Sequence, residues 1–186
     1  GEVVGAIRYR IDKFGGDLIG GDLLTTGPLG RALLLQFFAR HVDQVARVVF
    51  RVSPDEVPEL WGTDFAVTTE GRVGFPSLGG PMVRVLDMTA LAGTAVGSGA
   101  VTVKIAGDEL IGGVWQLAAE DGRLVIGRGS AAPVATLTAA GFSGLFYGVL
   151  DPVEVVMRGH GEVEAAAVGE LAALFPRRMP YLCADF

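Results

Sequence analysis

The chain has 186 residues, half of them apolar, and a formal net charge of −6 from 15 basic and 21 acidic side chains. That length suits one domain or two small ones, with a core that needs no cross-links. The single cysteine, Cys183, excludes a disulfide framework and a cysteine-based zinc site. The acidic balance gives no electrostatic reason to bind nucleic acid. No stretch is long and apolar enough for a membrane span and no signal peptide is recognisable, so we expect a cytoplasmic α/β or α+β protein.

The first third of the chain predicts a β-hairpin, then a helix, then a further strand. Apolar and basic side chains alternate at the start, and a glycine turn at residues 14–16 separates the two strands of the hairpin. Pro28 suits the first turn of a helix, where no backbone N–H is missed. The predicted elements are strands over residues 2–11 and 17–26, a helix from Pro28, a buried strand over 46–52 and a short helix towards Trp61.

The remainder follows a stretch rich in Gly and Pro at residues 69–81, which we interpret as a domain boundary. After it, short strands separated by turn residues predict an antiparallel meander with helices. The predicted elements are a strand from 83 ending at Asp87, a short helix over 89–97, strands over 101–105, 112–119, 124–126 and 133–137, helices over 139–150 and 163–175, and an element over 153–157 that could be a strand or a helix.

The usual catalytic residue types form no recognisable motif in this sequence. His41 and His160 are far apart and lack the spacing of a zinc-binding helix, so we expect no metal site. Ser98 and Ser143 do not fit the pattern of a nucleophile between a strand and a helix, which argues against serine hydrolysis.

The C-terminus is apolar for a chain end, because it carries Tyr181, Leu182, Cys183 and a terminal Phe186. Burying a Phe ring stabilises by roughly 1.5–3 kcal/mol. A docked Phe186 would hold its α-carboxylate against protein walls, where it could act as a base or anchor a cation. Plain packing with the carboxylate in water is the alternative. Asp185 adds a second negative charge that would attract an amine-rich substrate.

Three segments, in order along the chain, resemble the enhanced intracellular survival family of GNAT-type N-acetyltransferases, which acetylate aminoglycosides. The opening GEVVGAIRYR resembles an interdomain strand of that family, and residues 80–91, GPMVRVLDMTAL, resemble a characteristic internal segment. The ending, LFP at residues 174–176 followed by CADF at 183–186, is similar to the terminus of the family.

The resemblance implies a particular domain organisation. The family has an N-terminal GNAT domain, a degenerate second GNAT-like domain and a sterol-carrier-like domain. Residues 1–78 would be the C-terminal part of the second domain, a partial GNAT-like mixed sheet with a helix. Residues 79–186 would be the sterol-carrier-like domain, an antiparallel meander with helices.

The same resemblance implies a role for the tail and for acetyl-CoA. The carboxylate of Phe186 would be the catalytic base for the substrate amine, and Asp185 would contribute to substrate binding. The cofactor acetyl-CoA would be bound by the N-terminal GNAT domain, which this chain lacks. The partners would be an amine substrate, that N-terminal domain and further copies of the protein in a homo-oligomer.

Residues 27–32 are similar to a GNAT cofactor loop but depart from it. The loop holds a pyrophosphate with consecutive backbone N–H groups at the start of a helix. Gly30 and Ala32 match the pattern, whereas Gly27 replaces a Gln or Arg and Pro28 removes a donor. We therefore expect a degenerate loop and no cofactor-binding residue on this chain.

The leading hypothesis is the C-terminal portion of an amine N-acetyltransferase, inactive without its N-terminal domain. Two alternatives stay open. An apolar helix over residues 139–150 could line a pocket for a hydrophobic ligand, as in a sterol-carrier-like binding module. The apolar faces and Gly-rich edges could instead serve assembly alone.

Overall fold

The computed structural model of this chain describes residues 1–62, 68 and 82–182. They form two compact units, the first from the described part of Gly1–Phe75 together with Tyr181 and Leu182, the second from that of Pro76–Pro180. Strands and helices occur in both units, so the predicted mixed α/β class is confirmed. Among the described residues, no helix has the length and apolar character needed to cross a membrane.

The first unit is built on a mixed sheet with one helix. Its elements are strands β1 (Gly5–Ala6), β2 (Tyr9–Ile11), β3 (Gly16–Asp22) and β4 (Leu24–Thr25), helix α1 (Pro28–Ala39), strand β5 (Val45–Arg51) and a 3₁₀ turn (Pro58–Leu60). Strand β3 lies between β2 and β5, antiparallel to β2 and parallel to β5, while β1 pairs separately with β4. Leu18, Phe38 and Val45 form the buried centre of this unit.

Two predictions for this unit need correction. The strand predicted over residues 2–11 is two strands, because β1 pairs with β4 and β2 pairs with β3, and the chain between them changes partner. The strand predicted as buried over 46–52 is β5, but only Val45 is buried and Val49 is 42% exposed. β5 is at the edge of the described sheet, and its side chains at 47, 49 and 51 are exposed.

The second unit is a five-stranded sheet covered by helices on one face. Its elements are a 3₁₀ turn (Thr89–Leu91), strands β6 (Ala100–Ile105), β7 (Gly113–Glu120), β8 (Arg123–Arg128) and β9 (Ala135–Leu137), helices α2 (Ala139–Phe146) and α3 (Pro152–Met157), strand β10 (Gly161–Val163), a second 3₁₀ turn (Ala165–Ala167) and helix α4 (Val168–Leu174). The strand order is β10-β9-β6-β7-β8, with β9 parallel to β6 and the other pairs antiparallel.

The core of the second unit explains why these elements form. Alternate residues of β6 and β7, such as Val103 and Leu117, are completely buried, as the period of two in a strand requires when one face is covered. Phe142 of α2, Val155 of α3 and Leu171 of α4 belong to the same buried cluster. The predicted meander of β6, β7 and β8 is therefore confirmed.

Two further predictions in this unit need correction. The strand predicted from residue 83 to Asp87 is irregular chain, because the buried Val85 donates its N–H to Ser143 Oγ (3.1 Å) instead of to a strand. The helix predicted over 163–175 begins only at Val168 as α4, because residues 161–163 pair with β9 as β10.

Two further helical predictions in this unit are decided by the geometry at the ends of the elements. The undecided element over 153–157 is helix α3, whose start is fixed by Asp151 and Glu154 in a reciprocal capping box. The helix predicted over 89–97 is a single 3₁₀ turn followed by Gly93, whose positive φ of 80° does not continue a helix.

Acid should destabilise the second unit through Asp108. Its carboxylate accepts the N–H groups of Ile111 (2.9 Å) and Leu110 (3.0 Å) and pairs with Arg84, which together hold its pKa below the ordinary value. A lowered folded-state pKa stabilises above the unfolded pKa of about 3.9, and the effect is lost as pH falls through the folded value. We expect Asp108→Asn to flatten the loss of unfolding free energy below about pH 4, measured by urea denaturation. An unchanged pH profile would contradict this role.

Candidate functional site

The carboxyl end of the parallel strand pair is where the first unit brings charged side chains together. Strands β3 and β5 run parallel with α1 between them in sequence, and α1 begins just after β4. In open α/β sheets, ligands bind at this end of the strands, beside a helix N-terminus. This region is therefore the candidate functional site.

A cleft of about 620 Å³ opens in this region. It forms where the chain passes from β1, which pairs with β4, to β2, which pairs with β3. At this point the N–H of Gly21 donates to the carbonyl of Arg8 (2.7 Å). A register shift of β3 against β5 falls between Ile19 and Asp22. The cleft is lined by residues 6–8, Gly21, Asp22, Leu24 and Arg51.

Asp22 is the charged centre of this cleft. Its carboxylate lies 3.1 Å from Arg51 Nε and also accepts a hydrogen bond from the hydroxyl of Tyr181. The Asp22 side chain is 11% exposed, against 58% for Arg51. A carboxylate so far removed from water needs such partners, because burying an unpaired charge is costly.

Sequence reasoning did not find this cluster. Asp22 and Arg51 are 29 residues apart and form no motif, and only the parallel register of β3 and β5 makes them partners. The one signal that the sequence offers is the aromatic Tyr181 in an apolar tail, and it does not indicate a partner.

The N-terminus of α1 departs from the pyrophosphate-binding loop pattern in the structure as it does in the sequence. Gly27 is the N-cap and contributes no side-chain cap, and Pro28 supplies no N–H. Gly30 packs directly on the preceding chain, since a Cβ at this position would lie 1.9 Å from the carbonyl oxygen of Val4. The glycine that matches the cofactor pattern thus serves a close backbone contact.

Arg31, beside that glycine, is committed to a structural cluster. Its guanidinium contacts the Glu56 carboxylate at 2.8 Å and lies 5.2 Å from the centre of the Trp61 ring. Trp61 Nε1 donates to the same carboxylate at 3.1 Å, and its ring stacks on Phe50. These contacts stabilise the fold. They engage Arg31, the one basic side chain of residues 27–32, with partners inside the protein.

The residues predicted to act in catalysis and substrate binding, Phe186 and Asp185, lie outside the described residues, as does Cys183. Their roles stay predictions. The last described residue is Leu182. Tyr181, one residue before it, is therefore the described residue nearest to Cys183, Asp185 and Phe186 whose side chain has a contact given above.

Two other candidate side chains, those of His41 and Ser143, are engaged in the fold. His41 follows the C-terminal end of α1, where its Nδ1 bonds the Phe37 carbonyl (2.9 Å). The Ser143 hydroxyl donates to Ala139 (2.7 Å) while accepting from Val85. Within the described ranges, no three potential metal ligands come together.

No family model matches the sequence, and no curated protein matches it. Solved structures do resemble it. A GCN5-related N-acetyltransferase from Kribbella flavida matches 98% of this chain with a TM-score of 0.71 at 20% identity, and one from Anabaena variabilis does so with 0.70 at 16%. Eis1 from Mycobacterium abscessus also matches 98%, with 0.70 at 16%. The chain spans 47–48% of the length of these three proteins. It therefore has a fold found within GCN5-related N-acetyltransferases.

The packing role of Gly30 can be tested against its neighbour. We expect Gly30→Ala to lower the free energy of unfolding by about 1–3 kcal/mol, because the new methyl group forces α1 away from Val4. Gly27→Ser is the matched control, since that position is open and Ser is a favoured N-cap. Urea denaturation followed by circular dichroism measures both. Equal stability of Gly30→Ala and the unaltered chain would reject the packing explanation.

Proposed function

We propose that this chain is the C-terminal portion of a GNAT-type N-acetyltransferase that transfers an acetyl group from acetyl-CoA to an amine, such as an aminoglycoside or a lysine side chain. The observation that carries the proposal is the fold likeness. It extends over 98% of this chain but less than half of the matching acetyltransferases. The order of the family-like segments along the sequence supports assigning this portion to the C-terminal side.

Acetyl-CoA would be held by another part of the parent enzyme. The α1 N-terminus of this chain is a poor match, because Pro28 lacks a donor and Gly30 packs on Val4. A degenerate loop is consistent with residues 1–78 belonging to a second GNAT-like domain that has kept the fold without binding the cofactor.

In this proposal the α-carboxylate of Phe186 is the base for the acceptor amine. An amine is protonated at neutral pH and must lose a proton before its lone pair can attack an acyl carbon. A carboxylate at the end of a tethered tail can accept that proton. Asp185 beside it would draw a polycationic acceptor towards the same point.

The anchoring of Tyr181 supports this role for the tail. Its hydroxyl bonds to Asp22 in the candidate site. Phe186 is the fifth residue after Tyr181, so a fully extended chain reaches at most about 18 Å beyond the anchor. Such a short segment limits the distance from Asp22 at which the terminal carboxylate can act.

The second unit, in this proposal, is the sterol-carrier-like domain and supports the tail. Helix α4 leads directly into it, and the tail begins under restraint, because Arg177 pairs with Glu154 (2.9 Å) and the Arg178 guanidinium bonds the Ala95 carbonyl (3.0 Å). The buried faces of α2, α3 and α4 pack on the sheet, and two cavities of this unit, of about 250 and 370 Å³, lie along β9 and β10. The proposal assigns this unit a supporting role, and binding of an apolar ligand there stays the alternative.

The first experiment is an acetyl-CoA titration of this chain by calorimetry, with a thiol-release assay on a polyamine or an aminoglycoside. We expect neither binding nor turnover, because the cofactor site belongs to the rest of the enzyme. Tight binding with turnover would mean that residues 27–32 form a working cofactor site, and would contradict the domain assignment.

The second experiment uses a longer protein that contains this chain at its C-terminus. One Gly added after Phe186 displaces the carboxylate, and we expect kcat for amine acetylation to fall by about 10²-fold, the lower end of general-base contributions. Asp185→Asn is the control that keeps the terminal carboxylate, and it should raise KM for a polycationic acceptor with little change in kcat. Unchanged turnover after the extension would exclude the proposed base.

A further inference from the structure

Asp22 joins three parts of the sequence that are otherwise remote. It ends β3, whereas Arg51 ends β5, and the two are register partners in the parallel pair. Tyr181 belongs to the C-terminal tail, 159 residues later. One carboxylate therefore links the sheet of the first unit to the tail.

Contacts within the sheet hold Asp22, the acceptor in this link. Arg51 holds Asp22 with Nε at 3.1 Å and Nη2 at 3.4 Å. The backbone reinforces the pair, because the N–H of Leu23 donates to the carbonyl of Arg51 (2.8 Å). A carboxylate held on two sides in this way offers the incoming hydroxyl a preorganised acceptor.

The hydroxyl of Tyr181 makes the directional contact of this anchor. Tyr181 is 36% exposed and Leu182 is 49% exposed, so both side chains keep part of their surface in water. An O–H donor on an ionised carboxylate is by contrast among the stronger hydrogen bonds of proteins. Removing the hydroxyl alone should therefore weaken the anchor.

We propose that Tyr181 is a positioning residue, whose hydroxyl bond to the Asp22–Arg51 pair holds the tail so that the Phe186 carboxylate reaches the acceptor amine. This inference rests on the proposed function of that carboxylate. Tyr181 acts through the tail and touches none of the reacting atoms.

The anchor can be measured in this chain without any catalytic assay. Cys183 is the only cysteine, so a thiol-reactive fluorophore attached there reports the motion of the tail through its anisotropy. We expect Tyr181→Phe and Asp22→Ala each to increase the fast local motion of the label about twofold or more. Tyr9→Phe is the matched control, because Tyr9 lies in the same unit and is held by the edge contact of its ring with Phe37.

Increased or unchanged motion of the label can be interpreted only if each variant is folded. Circular dichroism and the urea midpoint establish that each variant is folded, and Tyr181→Phe, which loses only an oxygen, keeps the test valid if Asp22→Ala unfolds. Label motion in Tyr181→Phe equal to that in the unaltered chain would overturn the anchor.

A second arm tests positioning in the longer protein that carries this chain. Tyr181→Phe should lower kcat about 3- to 10-fold and leave KM for acetyl-CoA unchanged. It should have no further effect in a protein already extended by Gly after Phe186, because the carboxylate is displaced there. An equal loss in both backgrounds, or no loss in the unextended protein, would overturn the positioning role.

The two arms separate the failure of this inference from the failure of the proposed function. If the extension alone leaves kcat unchanged, the carboxylate is not the base and the positioning role falls with it, whereas the anisotropy still reports whether Tyr181 anchors the tail. If the extension lowers kcat and Tyr181→Phe does not, the base stands and the positioning role is rejected.

Discussion

The parallel pairing of β3 with β5 is the constraint on which the candidate site depends. Parallel neighbours cannot be joined by a tight turn, so the chain must cross over, and α1 provides the crossing. The pairing sets Asp22 opposite Arg51 at the carboxyl ends of the two strands. It also sets the start of α1 at the same end of the sheet, where ligands of α/β proteins commonly bind.

The same construction brings the start of α1 to this end of the sheet. Pro28 supplies no N–H at this helix start, and Gly30 packs on the carbonyl of Val4. Arg31, the nearby cation, is held by Glu56 and Trp61. The Asp22 carboxylate at this end accepts a hydrogen bond from Tyr181 of the C-terminal tail.

The second unit illustrates how a single buried polar group can replace secondary structure. Ser143 is 4% exposed, yet its hydroxyl both donates to Ala139 and accepts from Val85. The segment before the 3₁₀ turn of this unit is therefore fixed by a side-chain contact while remaining irregular. Its buried residues, Val85 and Met88, complete the core under the helices.

Local chemistry in the sequence determined much of this protein. Pro28 marked the start of α1, turn residues separated the strands of the meander, and the spacing of apolar residues predicted the later part of α4, because these effects act within a few neighbouring residues. The mixed α/β class followed from them. Only the tertiary structure decided which strands pair, so the edge position of β5, the strand β10 and the irregular chain around Val85 were not foreseen. The sequence also did not predict the cluster of Asp22, Arg51 and Tyr181. Contacts between residues so far apart in sequence are set by strand register and chain path, which no local pattern encodes.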